Sequence, residues 1–150
     1  MKLFLDTSSL VKLYHREAGT DELAAVVDTD DCIIYLSALT VLEFRSAVWK
    51  KVRTGELSRD AALAVIGCFT DDYESYHWIN IDQQVVSLAR DALMKYGEKG
   101  LRTLDSIQLA SALSVKEEGC VYASADELLV SFYRAENLMV VPCVSEGMGN

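Results

Sequence analysis

Leu101–Leu113 reads LRTLDSIQLASAL, and the fold follows from what has to surround it. Thr103 opens a helix, and apolar residues then recur at helical spacing at Leu104, Ile107, Leu109, Ala110 and Leu113, the pattern of a helix with one face turned inward. Ser106, Ala110, Ser111 and Ala112 keep the following turns small, so a neighbour can pack close. Asp105 falls in the first turn. An acid there commonly does no more than complement the helix dipole, worth about 0.3–1 kcal/mol. Its meaning depends on whether other acids converge on it.

The chain on either side alternates short apolar runs with helices. After Gly119, Cys120–Ala123 reads as a fourth strand, Asp126–Tyr133 as a short helix and Leu138–Val141 as a fifth strand closed by Pro142. Upstream, Lys2–Leu5, Cys32–Leu36 and His77–Ile81 are strand-like. Asp6-Thr7-Ser8-Ser9, Ser37, Ser58 and Asp82 are placed to cap the helices that follow. The helix from Thr103 is expected to run to about Glu118. Such alternation predicts an α/β fold, a parallel sheet covered on both faces, with ligands bound beyond the carboxyl ends of the strands. Two helices in series separate strands three and four, so one of them is expected across the sheet edge. Residues 1–144 read as a single domain and 145–150 as a flexible tail.

Composition narrows the partners. With 51% hydrophobic residues and 25% charged in 150 residues, the chain can bury a full core. Its net charge of −9, from 14 basic and 23 acidic residues, excludes nucleic-acid binding by bulk charge. A polyanionic substrate would need a local basic patch or a bound cation. Cys32, Cys68, Cys120 and Cys143 form no CxxC pair and are expected as buried free thiols in a reducing compartment. The start, MKLFLDTSS, is neither a signal peptide nor a span, which needs about 20 apolar residues. A cytoplasmic protein without a membrane is the expectation.

Three further acids fall where strands end. Asp6 follows the first strand, Glu43 lies in the helix after the second within VLEF, and Asp126 follows the fourth within YASADELL. Asp6 could simply cap a helix, and Ser124 with Glu127 has the spacing of a capping box that leaves Asp126 as dipole complement. Glu43 is harder to place as solvated surface, because Leu39, Val41, Leu42, Phe44, Ala47 and Val48 surround it. A carboxylate in such a setting is seldom buried unless paired or coordinated. Four carboxylates at one strand edge repel, and a cation resolves the repulsion. All-oxygen ligands select magnesium or manganese over zinc, and such a site can activate water and stabilise charge at phosphorus. His15 and His77 have no triad partner in the sequence.

On these residues the chain resembles the PIN-domain family, and within it the VapC-type toxins of toxin–antitoxin pairs. LDTSSLVKLY is similar to the family's first motif, SALTVLEFRSAV to its second, LRTLDSIQLASAL to its third and YASADELL to its fourth. The resemblance implies a three-layer α/β/α sandwich whose five-stranded parallel sheet is ordered 3-2-1-4-5. It also implies a ribonuclease using Mg2+ or Mn2+, acting on RNA such as tRNA or rRNA, held by a cognate VapB-type antitoxin and commonly a homodimer. Asp6, Glu43, Asp105 and Asp126 are then the catalytic and metal-holding acids, with Ser8 and Ser124 as auxiliary hydroxyls. Lys12, Arg45 and Arg102 lie near the motifs and are candidates to offset RNA charge.

Two other readings use the same residues. A PIN-fold interaction subunit would keep the acids but act mainly through an antitoxin complex, with Phe44, Trp49, Phe69 and Tyr73 forming an aromatic groove for a partner helix. A haloacid-dehalogenase-type phosphatase would use Asp6 as nucleophile, but DTSSL lacks that family's second Asp. No Gly-rich loop follows any strand, which argues against a mononucleotide fold.

Overall fold

The computed structural model describes residues 1–29 and 31–142. Strand β1 (Lys2–Leu5) leads into α1 (Thr7–Tyr14) and α2 (Thr20–Val27), and β2 (Ile33–Ser37) into α3 (Thr40–Arg53) and α4 (Arg59–Asp71). Strand β3 (His77–Ile79) is followed by α5 (Gln83–Tyr96) and α6 (Thr103–Ser114), and β4 (Val121–Ala123) by α7 (Glu127–Ala135). Every connection between consecutive strands therefore carries two helices, not only the one before β4. Ile79 of the edge strand β3 packs under a cluster formed by Val85 and Ala89 of α5 and Ala110 of α6, which sets α5 over that edge.

The sheet is ordered β3-β2-β1-β4, and every pairing is parallel. The expected fifth strand is reduced to a single parallel bridge, Tyr122 to Val140, with Tyr122 N donating to Met139 O and Val141 N to Tyr122 O, both at 2.9 Å. Pro142, which follows Val141 directly, has no N–H with which to extend the ladder. The position beside β4 is nevertheless the one the order 3-2-1-4-5 requires.

Alternation in β1 divides the core. Phe4 points to the layer of α5, α6 and α7, where it meets Leu109, Tyr122, Leu129 and Phe132. Leu3 and Leu5 point to the layer of α1, α2, α3 and α4, where they meet Leu10, Leu23, Phe44 and Phe69. Burial of these side chains, each worth about 1.5–3 kcal/mol, fixes the α/β/α stack. Phe44 and Phe69 are fully enclosed there, which removes two members of the expected aromatic groove.

Caps fix the helix starts. Asp6, Ser58 and Asp82 each accept from the backbone N–H three residues on, a bond typically worth ~1 kcal/mol. Asp126 is itself the N-cap of α7, accepting from Leu128 N and Leu129 N, so the Ser124–Glu127 box does not form. Ser37 caps nothing. It ends β2, and its hydroxyl accepts from Ser111 Oγ at 2.9 Å. Helix α6 stops at Ser114, short of Glu118, and a separate 3-10 turn reaches Gly119 (φ +74°). Cys32, Cys68 and Cys120 are free, but Cys68 is exposed and only Cys120 is buried. Cys143 and the expected tail at 145–150 lie outside the described residues. Among the described residues no helix is long and apolar enough to cross a membrane.

Candidate functional site

Strand register brings the first two site residues together. Leu5 pairs with Ala123, so the next residues, Asp6 and Ser124, leave the sheet side by side. Ser124 Oγ donates to Asp6 Oδ2 at 2.7 Å, and Ser8 Oγ donates to the same oxygen at 2.7 Å. Asp6 Oδ1 accepts from Ser9 N at 3.0 Å and Ser9 Oγ at 2.7 Å. The carboxyl is only 3% exposed. Burial drives its pKa up, and the hydroxyls of Ser9, Ser124 and Ser8 pull in the opposite direction.

Ser8 and Ser124 also lock the β4–α7 turn. Ser8 Oγ accepts from Ala125 N at 3.0 Å and Ser124 Oγ from Asp126 N at 3.0 Å. Asp126 is thereby held beside Asp6 through backbone contacts, with its side chain exposed.

Glu43 reaches the site from the first turn of α3. Its Oε1 accepts from Gln108 Nε2 at 2.7 Å and Thr7 Oγ1 at 2.9 Å. Gln108 Nε2 also lies 3.0 Å from Thr40 Oγ1 and 3.2 Å from Thr7 Oγ1, so one amide ties α1, α3 and α6 at a single point. Burial raises the Glu43 pKa, the amide and hydroxyl lower it, and the Asp6 and Asp105 carboxylates raise it again. Asp105 sits in the first turn of α6, where Oδ2 accepts from Arg102 N at 3.3 Å. On α7, burial pushes the Tyr133 phenol far up, with Asp6, Tyr122, Asp126 and Glu43 adding to the effect.

All four acids line one cleft of about 540 Å3, together with Thr7, Ser8 and Gln108. Among the described residues none of them has a salt-bridge partner, and the eight ion pairs present lie elsewhere. Carboxylates and hydroxyls without a neutralising side chain are the donor set that suits a hard divalent cation such as magnesium or manganese. Among the described residues one set of three metal-type side chains has ligand atoms within 4.8 Å of one another, and it is outside this cleft: His15, Glu17 and Glu56. There Lys51 Nζ already meets Glu17 at 3.3 Å and Glu56 at 2.9 Å, and Lys12 Nζ meets Glu17 at 3.2 Å. Lysines take the place of a metal in that ion-pair knot.

The expected cations divide differently from the acids. Lys12 is 1% exposed and donates to Glu17 Oε1 and Ala18 O, so it is an internal tie rather than surface. Arg45 donates to Val41 O and Thr70 Oγ1 and lies over the Phe69 ring. Arg102 is exposed but is not part of the cleft lining. The cations that do line it are Lys50 and Arg53 of α3. Their signal was present as helical spacing, since positions 43, 46, 50 and 53 share one face. Gln108 announces itself only by lying three residues beyond Asp105, one turn along α6.

The sequence model of the PIN domain matches residues 3–136. The chain belongs to the PIN-domain family. No curated protein sequence matches it. Among solved structures it is similar to VapBC2 from Rickettsia felis bound to a promoter DNA fragment (TM-score 0.67, 15% identity, covering 94% of this chain and 98% of that one). It is likewise similar to FitAcB from Neisseria gonorrhoeae (0.68, 18%, 93% and 96%). A third is Mycobacterium tuberculosis VapC20, a toxin that cleaves the sarcin–ricin loop (0.62, 14%, 87% and 94%). At these identities the likeness is one of fold. In this PIN domain Asp6 beyond β1, Glu43 of α3, Asp105 of α6 and Asp126 of the β4–α7 turn share one cleft.

Proposed function

We propose that this PIN domain is a Mg2+- or Mn2+-dependent endoribonuclease of the VapC type, a toxin that hydrolyses phosphodiester bonds in tRNA or rRNA. A VapB-type antitoxin restrains it, and it works as a cytoplasmic homodimer. The observation that carries the reading is the convergence of Asp6, Glu43, Asp105 and Asp126 on one cleft, where among the described residues none of them is held in an ion pair. A divalent ion, when bound, supplies positive charge at the phosphate and lowers the pKa of a water. Asp6, Glu43, Asp105 and Asp126 hold it, directly or through water. Ser8 and Ser124 keep Asp6 oriented, and Thr7 and Gln108 keep Glu43 oriented. The solved VapBC and VapC relatives support the toxin assignment and the antitoxin partner, and free thiols at Cys32, Cys68 and Cys120 suit a reducing compartment.

Cleavage of total RNA is the direct test. Fragments are expected with magnesium or manganese, none with EDTA, and none from folded Asp6→Asn or Asp105→Asn protein. Metal-independent cleavage that survives in Asp105→Asn overturns the assignment.

The interaction-subunit reading has one observation of its own. Leu42 and Leu104, 67% and 51% exposed, line the cleft and give it an apolar rim that a partner helix can cover. Antitoxin binding by a chain that cuts no RNA under any metal would favour it.

A further inference from the structure

We infer that Lys50 and Arg53 form the phosphate track of the cleft, gripping the backbone of a single-stranded RNA segment to one side of the bond that is cut. The inference rests on the endoribonuclease reading and adds to it the path of the substrate.

The chain carries 14 basic residues against 23 acidic ones, so cations free to meet a polyanion are scarce. Most of those near the site are committed. Lys12 and Lys51 neutralise Glu17 and Glu56, and Arg45 is tied to Val41 O and Thr70. Lys50 and Arg53 are exposed, and among the described residues neither side chain makes a hydrogen bond, ion pair or ring contact. Both nevertheless line the same cleft as the four acids. Cations in a last helical turn complement the dipole, which explains their presence on α3 but not their position on its cleft face.

Geometry gives the track its direction. At 1.5 Å per residue, Lys50 stands about 10 Å along α3 from Glu43 and Arg53 about 15 Å. A phosphate held at the acids therefore has its neighbours led toward the C-terminal end of α3. The two cations are three residues apart, which puts their Cβ atoms about 5–6 Å from one another, close enough to serve adjoining phosphates. The cleft continues that way into a second cavity of about 440 Å3 that shares Ser8, Val11, Ala47, Lys50 and Asp126 with the first. Leu42 and Leu104 line the cleft without offering charge, so its cationic wall is one-sided. An extended strand fits such a groove better than a duplex, which presents two phosphate rows.

The test is the salt dependence of RNA binding. In an Asp105→Asn background, which prevents turnover, a short fluorescein-labelled single-stranded RNA is titrated by anisotropy from ~50 to ~200 mM salt. Each single-strand phosphate contact contributes about 0.7 to the slope of log affinity against log salt. Lys50→Ala with Arg53→Ala should thus flatten the slope by about 1.4, so that affinity across this range falls about sevenfold less than in the parent. It should also bind more weakly at the low-salt end. Arg59→Ala with Arg90→Ala, the same charge loss on exposed residues away from the cleft, should leave the slope in place. Lys50→Arg with Arg53→Lys should restore it. Both positions are exposed, and circular dichroism checks that each variant is folded. An unchanged slope in the Lys50/Arg53 double alanine, while unmutated protein still cuts RNA, overturns the track and leaves the enzyme reading standing. Loss of binding to an acidic antitoxin peptide without any change toward RNA also overturns it, by assigning the pair to a protein partner. A parent that neither binds nor cuts RNA takes down both readings together.

Discussion

Asp6 and Gln108 illustrate two kinds of polar residue in a buried place. Asp6 is a helix cap by local geometry and a buried carboxylate by location, and its four hydrogen bonds serve both roles. Gln108 has no cap to make. It is 4% exposed, and its amide points Glu43 into the cleft, so its removal leaves Glu43 facing the same desolvation with fewer donors. Hydrogen bonds to charged groups contribute about 1.5–3 kcal/mol, and groups that orient metal ligands typically matter 10–100-fold in affinity or activity. Gln108→Leu is therefore expected to raise the magnesium concentration needed for half-maximal RNA cleavage by about 10–100-fold. Thermal melting measured alongside separates this from unfolding. A variant with unchanged metal requirement would show that Thr7 alone positions Glu43. At this scale the acids were legible because each follows a strand or opens a helix. Gln108 was not, because one amide near an acid carries no pattern until the helices are packed.

Helix α6 shows where periodicity informs and where it misleads. Its existence, its start at Thr103 and its small inner face follow from the residues. Yet Leu104, part of the apolar repeat, is half exposed on the cleft rim, while Ser106, Gln108 and Ser111 are buried. The cause is the polar seam between α6 and the strand ends. Ser111 donates to Ser37 Oγ and Gln108 Nε2 to Thr40 Oγ1, so hydroxyls and an amide N–H pair where a hydrophobic repeat would place leucines, although Gln108 Oε1 is buried without a partner. Hydropathy cannot anticipate that exchange, since it depends on which polar atoms face across the gap. The close approach predicted from small residues is real on the other side, where Ala110 is fully buried against Val85 and Ala89 of α5. Ala110→Leu should overpack this contact and cost about 1–3 kcal/mol, read as a lower urea midpoint with unchanged m-value. A midpoint equal to that of the parent would mean that α5 can withdraw without loss. The fifth strand is shorter than the apolar run Leu138–Val141 suggests: it meets β4 at a single bridge, and Met139 within it is 70% exposed.

For the whole molecule, the acidic cleft is a stored electrostatic cost within an otherwise well-packed α/β/α stack. Burial raises the pKa values of Asp6 and Glu43 in the folded chain above those of the unfolded chain. The folded state therefore holds more protons than the unfolded one between the ordinary carboxylate range and the raised values, and stability must fall as pH rises through that window. Below the ordinary range both states are protonated and the penalty is absent, while above the raised values it is fully felt. A divalent ion bound by the ionised acids offsets it. Ligand at a hundred times its Kd adds about 2.7 kcal/mol, which for a chain of this size raises the melting temperature by about 5–10 °C. The metal-free protein is thus expected to melt higher at mildly acidic pH than these carboxylates alone would permit at neutrality, and magnesium or manganese should raise the neutral-pH melt. That increment should shrink on acidification, as protons compete for the same oxygens. Asp6→Asn keeps the cap, because asparagine accepts from the Ser9 N–H as aspartate does, and removes one buried charge. It should melt at or above the metal-free parent at neutral pH, and its response to magnesium should be largely lost. Differential scanning calorimetry across pH, with and without the ion, reads all of these at once. A magnesium increment that persists undiminished in Asp6→Asn and at acidic pH would mean that the ion is bound away from this cleft.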